Sequence, residues 1–393
     1  MNKRYLALLT SSHFIIDIFQ GALPALLPFL IHEHNLTYAA AASLVFAANI
    51  SSSIVQPLFG FYSDRISLPW IMPLGLFLAG AGIGLAGILP SYWLILISVA
   101  ISGIGIAAFH PEAARVTNSI SGEKKGTGVS TFAAGGNMGF AIGPILTTSI
   151  VLLLGLKGSL ILILPVIIVS LILLNQLKNL YKYEHSQITK VSTTSDIIKD
   201  EWNSFLRLLT TISCRSIIFF GFNTFLPLYW INIFGQSKAA GSTALTILIV
   251  TGAISTLIAG RLADRFGHKK IIIIGFALLI PLLLIFVNLH NVTISTVMLI
   301  PIAMALYAPY SPMVVYGQKY LPNHMGLASG VTLGLAVSVG GVFAPILGWI
   351  SDNYSIHAAI SSLIVIPIIA TIVAITLPIP KIDLISKIAK TSS

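Results

Sequence analysis

Long apolar runs separated by short polar turns organise the chain. They fall near 5–31, 38–62, 70–89, 92–118, 126–154, 158–180, 203–232, 239–262, 271–289, 293–318, 325–350 and 356–379. About 20 apolar residues in a helix rising ~1.5 Å each span the ~30 Å hydrocarbon core of a bilayer. The runs therefore predict an all-α membrane protein of twelve transmembrane helices. Breakers stand between successive runs at Pro90-Ser91, Gly155, Gly235 and Asn291. The one extended polar stretch, Tyr181 to Asn203, divides the chain. The expected organisation is a six-helix bundle over 1–180, a cytoplasmic linker loop over 181–202, a second six-helix bundle over 203–380 and a cytoplasmic tail over 381–393. Within the linker, Ser195 to Phe205 can form a short amphipathic helix on the membrane surface.

Composition agrees with the pattern. Of 393 residues, 56% are hydrophobic and 9% charged, where soluble domains carry about 25% charged residues. The net charge of +10 does not point to nucleic acid, because the cations lie between apolar runs, where they set topology. Segments on one side hold Lys3, Arg4, Arg65, Lys124, Lys125, Lys178, Lys182, Lys190, Lys199, Arg207, Arg261, Arg265, Lys269, Lys270, Lys319, Lys381, Lys387 and Lys390, whereas the other side has only Lys157 and Lys238. Both termini are therefore expected in the cytoplasm. The first run is too long for a signal-peptide core, contains Asp17 and shows no clear small-residue cleavage site, so it is expected to remain as the first helix. The lone Cys214 excludes an internal disulfide and a cysteine-based metal site. No GxxxxGK[ST], HExxH or GxSxG pattern is present, which argues against an enzyme and against ATP-driven transport.

The chain also repeats itself. Gly60-Phe-Tyr-Ser-Asp64-Arg65 recurs as Gly260-Arg-Leu-Ala-Asp264-Arg265, an offset of 200 residues. Phe109-His110-Pro111 is echoed by Tyr307-Ala308-Pro309, Gly126 by Gly326, and Gly143-Pro144 by Ala344-Pro345. Self-similarity at offsets of 198 to 201 residues implies two related six-helix bundles.

At residues 260–270, GRLADRFGHKK, the sequence resembles the major facilitator superfamily, whose loop motif reads Gly-x-x-x-Asp-Arg-x-Gly-Arg-Lys. Gly260 is expected to let two helices approach closely and Asp264 to cap or neutralise a helix end, with the basic cluster at the inner surface. The copy at Gly60, Asp64 and Arg65 runs on as SDRISLPWIMPLG and lacks the Gly-Arg-Lys. That departure is similar to a narrower group, the fosmidomycin resistance proteins, as are HFIIDIFQGALPALLP, AFHPEAARV, GGNMGFAIGP and VVYGQKYLPNHMGLASGVTLGLAVSVGG. The resemblance implies export of small anionic or amphiphilic drugs against proton entry, by alternating access in a bacterial inner membrane. Gly135, Gly136, Gly139, Gly143 and Pro144 resemble the antiporter motif of the fifth helix, glycines for close packing and a proline for bending.

Ionisable groups in a bilayer are costly, so each is a functional candidate. Helix 1 carries His13 and Asp17 on one face with Gln20 a turn on, and Asp17 falls near mid-membrane. Helix 4 carries His110, Glu112 and Arg115, the last two spaced to form an ion pair. Pro111 is expected to free a carbonyl near Ala107 and to give His110 room to turn. Asp17 and Glu112 are the carboxylates placed within spans, so proton coupling is expected at Asp17, tuned by His13, with Glu112 and His110 as gate or relay. The alternatives are that Glu112 carries the proton or that both acids are structural. The proton is the expected coupling ion, and no other cofactor or metal is expected. His32, Glu33 and His34 read as a solvated outer turn. Candidate cargo contacts are Arg115 and Arg215, whose guanidinium forks suit phosphonate or carboxylate, together with Gln20, Asn137, Asn223, Tyr307 and Tyr310. The competing structural readings are that Arg115 neutralises Glu112 and that Arg215 snorkels or pairs with helix 1. A proton-driven importer of organic anions would need the same residues, and a non-transporting receptor or scaffold would not need them. The expected partners are a small molecule and the lipid bilayer, with the protein a monomer.

Overall fold

The computed structural model describes residues 2–65, 69–121, 125–185, 199–324, 328, 331–332 and 336–381. Among these the secondary structure is helical and no strand occurs. The elements are α1 (Lys3–His34), α2 (Tyr38–Arg65), α3 (Ile71–Ala86), α4 (Tyr92–Ile120), α5 (Lys125–Leu154), a 3₁₀ segment (Leu156–Leu162) running into α6 (Ile163–His185), and α7 (Trp202–Asn232). They continue with α8 (Lys238–Phe266), α9 (His268–Val287), α10 (Val292–Tyr307), α11 (Tyr310–Tyr320), α12 (Ala336–Asn353), α13 (Ile356–Ser362) and α14 (Val365–Thr376). Ten helical segments are long and apolar enough to cross a membrane, with α10 and α11 counted as one and α13 and α14 as another. The shorter α3 and α12 complete twelve helical passes.

The turns follow the breakers in the sequence. Asn2 caps α1 by accepting from the amides of Arg4 (3.1 Å) and Tyr5 (3.3 Å), and Asn291 caps α10 by accepting from Thr293 and Ile294. Gly155 and Gly235 stand at φ 72° and 61°, a left-handed conformation that side chains disfavour. The surface inverts that of a soluble protein: Leu153, Leu257 and Trp93 are exposed while Glu112, Arg215, His13 and Asn223 are buried. Lipid is the medium that accepts such an apolar belt.

The chain forms two compact units, Met1–Ser192 with Ser237–Thr246, and Thr193–Gln236 with Ile247–Ser393. In the first unit a seam of small residues sets α5 against α1. A side chain at Gly135, Gly139 or Gly143 would collide with the carbonyls of Thr10, Phe14 or Ile18, one turn of α1 after another, and one at Gly21 would strike the Phe140 carbonyl. Serines join α3 to its neighbours: Ser98 Oγ donates to the Gly82 carbonyl (2.7 Å), Ser102 Oγ to Ala79 (2.8 Å) and Ser159 Oγ to Gly84 (2.7 Å). Close backbone approach and such hydrogen bonds hold helices together where lipid offers no hydrophobic drive.

In the second unit Gly340 of α12 lies on Ser216 of α7, whose Oγ accepts the Gly340 amide at 3.2 Å. The segment before α7 is tied down rather than forming its own surface helix. The Glu201 amide donates to the Tyr320 carbonyl (2.7 Å), and Asp200 accepts from the Asn323 amide (3.1 Å) and His324 Nδ1 (2.6 Å). The expected helix over Ser195 to Phe205 is thus corrected where it is described: Trp202 to Phe205 are the first turn of α7, and 195–198 lie outside the described residues. Pro309 and Pro312 explain the break between α10 and α11, since each removes the amide that would continue the helix ladder.

Candidate functional site

The carboxyl of Asp17, near the middle of α1, is met on both oxygens by histidine. His13 Nε2, one turn earlier, lies 3.2 Å from Oδ2, and His110 Nε2, from α4, lies 3.1 Å from Oδ1. Gln20 Nε2 donates to Oδ1 at 3.1 Å. The backbone orients both rings, because His13 Nδ1 sits 2.8 Å from the Phe132 carbonyl of α5 and His110 Nδ1 2.8 Å from the Ile106 carbonyl of α4. The His13 ring stacks on Phe132 with centroids 4.0 Å apart. Gly136 of α5 makes the space: a Cβ there would stand 2.5 Å from both Asp17 Oδ2 and His13 Nε2. The donors of His13, Asp17 and His110 lie within 4.8 Å of one another, tight enough to share protons or surround a cation. Such convergence appears here among the described residues and not at His32, Glu33 and His34.

The sequence pairing of Glu112 with Arg115 is present on α4. Arg115 grips the buried carboxylate with Nε at 3.0 Å and Nη2 at 2.8 Å, and Tyr181 of α6 donates its hydroxyl to Glu112 Oε1. Arg115 therefore meets Glu112 rather than Asp17; the helix 4 residue that reaches Asp17 is His110. His110 does turn its ring, with Nδ1 at the Ile106 carbonyl and Nε2 at Asp17.

In the second unit Arg215 of α7 is 4% exposed. Its guanidinium lies over the Tyr310 ring at 4.8 Å and the Phe219 ring at 5.9 Å, and among the described residues no carboxylate pairs with it. Its Nε, the Oδ1 of Asn223 and the hydroxyl of Tyr307 are buried without a hydrogen-bond partner among the described residues. Tyr307 meets Phe219 edge-on at 5.9 Å and seats its ring against Gly252 of α8, where a Cβ would come within 2.5 Å. Tyr307 and Tyr310 flank the break between α10 and α11, so the break presents both rings to α7. Asn137 lies exposed on α5, outside the Asp17 cluster.

In the loop motif, the nearest atom among the described residues to a Cβ on Gly260 is Ser311 Oγ, at 3.6 Å, an ordinary contact rather than a close helix approach. Asp264 is exposed and stands 3.7 Å from His268 in the first turn of α9, whose N-cap, Gly267, supplies no side-chain hydrogen bond. Asp264 is therefore a loose ion-pair partner of α9 and not its cap, while Arg265 folds over the Phe266 ring. Gly60, Asp64 and Arg65 lie on α2, their side chains outside the described residues. Gly143 and Pro144 do meet α1, at Ile18 and Gly21. Sequence reasoning missed Tyr181, the Phe132 carbonyl, Gly136 as the space-maker and Gly252. Gly136 was legible only as one member of a glycine run.

The pattern of the Major Facilitator Superfamily matches residues 9–345. The chain is 28% identical over 365 residues to the fosmidomycin resistance protein of Escherichia coli (strain K12), covering 90% of this chain and 87% of that one. It is 29% identical over 373 residues to the uncharacterized MFS-type transporter YfnC of Bacillus subtilis (strain 168), covering 93% and 90%. Its fold superposes on an inward-facing, occupied bacterial homolog of the human lysosomal transporter Spinster with a TM-score of 0.81, at 14% identity and covering 95% and 96%. Twelve helical passes, polar groups buried within them and a family match across most of the chain identify a non-enzymatic secondary transporter, and the chain belongs to the Major Facilitator Superfamily.

Proposed function

We propose that this transporter is a proton-coupled antiporter that exports small anionic or amphiphilic molecules by alternating access, with Asp17 as the proton carrier. The observation that carries the reading is the meeting of His13 and His110 on the two oxygens of one carboxyl inside the membrane-spanning part. Burial favours the neutral acid and adjacent cations favour the carboxylate, so helix movements that change these neighbours load and unload a proton. Glu112, clamped by Arg115 and Tyr181, serves as the gate. Arg215, buried without a carboxylate partner among the described residues, supplies the charge for an anionic cargo, and Tyr307, Tyr310 and Asn223 shape its surroundings; Gln20, bound to Asp17, links cargo to the proton site rather than gripping it directly. Residues 1–180 and 203–380 form the two moving halves in a bacterial inner membrane, with both termini cytoplasmic as the Lys and Arg distribution favours.

Fosmidomycin is the first probe, because the Escherichia coli relative is named for resistance to it. Protein in liposomes with an internal pH dye, without an imposed gradient, should show proton flux on adding the drug to wild type and none with Asp17→Asn. Flux opposite to the drug supports antiport, and flux with it makes the protein a symporter. No flux with any anionic drug removes the cargo assignment, and an unaffected Asp17→Asn moves the carrier to Glu112.

A further inference from the structure

The backbone locks both imidazoles around Asp17 in one tautomer. A carbonyl oxygen only accepts, so His13 Nδ1 at 2.8 Å from Phe132 and His110 Nδ1 at 2.8 Å from Ile106 each carry a hydrogen. Both Nε2 atoms therefore face the carboxyl, His13 at Oδ2 (3.2 Å) and His110 at Oδ1 (3.1 Å). Each contact is attractive with one hydrogen in it and sets lone pair against lone pair without one. Oδ1 already accepts from Gln20 at 3.1 Å, so the carboxyl oxygen placed to carry a hydrogen toward a ring is Oδ2, toward His13. Of the elements packed here, α5 presents Gly136 and the Phe132 carbonyl, neither titratable, and the charged groups farther along α4, Glu112 and Arg115, are bound to each other.

We infer that this cluster holds two labile protons, one in each Nε2–Oδ contact, and that loss of the one between His110 and Asp17 releases α4 from α1. This rests on the reading of Asp17 as the coupling site and adds a second proton with a mechanical consequence. Two protons fill both contacts in either of two ways: both rings are imidazolium around a carboxylate, or the His13 proton has crossed to Oδ2. The count and the net charge are the same. With a single proton one contact is empty, and its ring cannot turn to relieve the repulsion without breaking the Nδ1 bond to its carbonyl. The two contacts differ mechanically. His13 and Asp17 share α1, which the glycine seam holds on α5, so that contact weakens without moving a helix. His110 belongs to α4, and among the described residues its bond is the polar tie between α4 and α1 at this depth, the other being the Asn2 amide on the Ile120 carbonyl (3.2 Å) at the helix ends. A proton kept between Oδ2 and His13 leaves α4 unpinned at His110.

The test needs no cargo. Full-length protein in nanodiscs, labelled with ¹⁵N-histidine, is titrated by NMR, with His13→Gln and His110→Gln assigning the two rings. Amide exchange over residues 105–115 is followed by mass spectrometry across the same pH range and corrected with an unstructured reference peptide. In wild type both rings should keep hydrogen on Nδ1 throughout, and exchange should rise about tenfold as His110 Nε2 loses its hydrogen. His110→Gln, a permanent N–H donor, should stay protected at every pH, and His110→Ala should exchange fast at every pH. An Nε2–H tautomer in either ring, pH-independent exchange in wild type, or one metal ion per chain by elemental analysis would each overturn the inference. Drug-driven flux lost in Asp17→Asn together with pH-independent exchange removes the second proton but keeps the coupling. The reverse pair of results keeps the two-proton cluster and removes its part in transport.

Discussion

The two units carry the same repeat and opposite chemistry. Around Pro111 the first unit keeps α4 unbroken, and His110 turns its ring along the helix to reach Asp17. At the matching Pro309 the second unit has Ala308 in place of the histidine and a further proline at 312, and the helix parts into α10 and α11. One half thus sets an acid between two histidine rings, and the other buries an arginine among aromatic rings. The repeat copied the scaffold, and divergence of a few side chains gave the two copies different buried polar groups; in the proposed function one handles the proton and the other the anionic cargo.

That contrast can be broken most forcefully at Gly136. Gly136→Val drives a branched side chain into His13 and Asp17, and drug-driven proton flux should fall about a hundredfold or more, since small displacements of reacting groups carry penalties of that order. A variant that still couples would show that the cluster is not held by α5. Next is Glu112→Ala, which leaves Arg115 and the Tyr181 hydroxyl facing a gap. Unfolding in detergent should show a loss of about 3 kcal/mol, at the low end for a broken buried pair because Arg115 keeps some access to solvent. Adding Arg115→Met should recover much of it, whereas failure to recover would mean that Tyr181 and packing, rather than charge, hold α4 to α6.

In the second unit Arg215→Lys tests whether the planar fork matters or only the charge. Stacking on Tyr310 and bidentate anion binding are both lost, so drug binding by calorimetry should weaken about tenfold, near 1.4 kcal/mol. Equal affinity for the lysine protein would place the anion elsewhere. The smallest effect is expected at Asp264→Asn, whose exposed, 3.7 Å pairing with His268 should contribute under about 0.5 kcal/mol to thermal stability. A larger loss would restore a structural role to the loop motif that the geometry does not support.

Much of the scaffold was readable because bilayer thickness imposes a length on every apolar run. Gly155, Gly235 and Asn291 separated those runs for conformational reasons that act locally, and the structure has them in those roles. The ion pair of Glu112 with Arg115 was equally local, being a three-residue spacing on one helix. The contact of His110 with Asp17 was not: the two are 93 positions apart, and no periodicity links them. Gly260 shows the complementary limit, since a motif names a residue without naming its neighbours, and among the described residues only an ordinary contact with Ser311 lies beside it.

By itself the sequence determined the membrane class, the twelve apolar runs, the internal repeat, the family resemblance and the short list of ionisable groups within spans. These follow from local hydropathy, backbone conformation and spacing along one helix. Only the tertiary structure decided which of those groups meet. It brought His110 to Asp17 and Arg115 to Glu112, opened room for the pair at Gly136, seated Tyr307 at Gly252 and, among the described residues, left Arg215 without a carboxylate. The reason is physical: hydrogen bonds and packing act over a few ångströms between elements far apart in the chain, and their partners are set by how the helices pack.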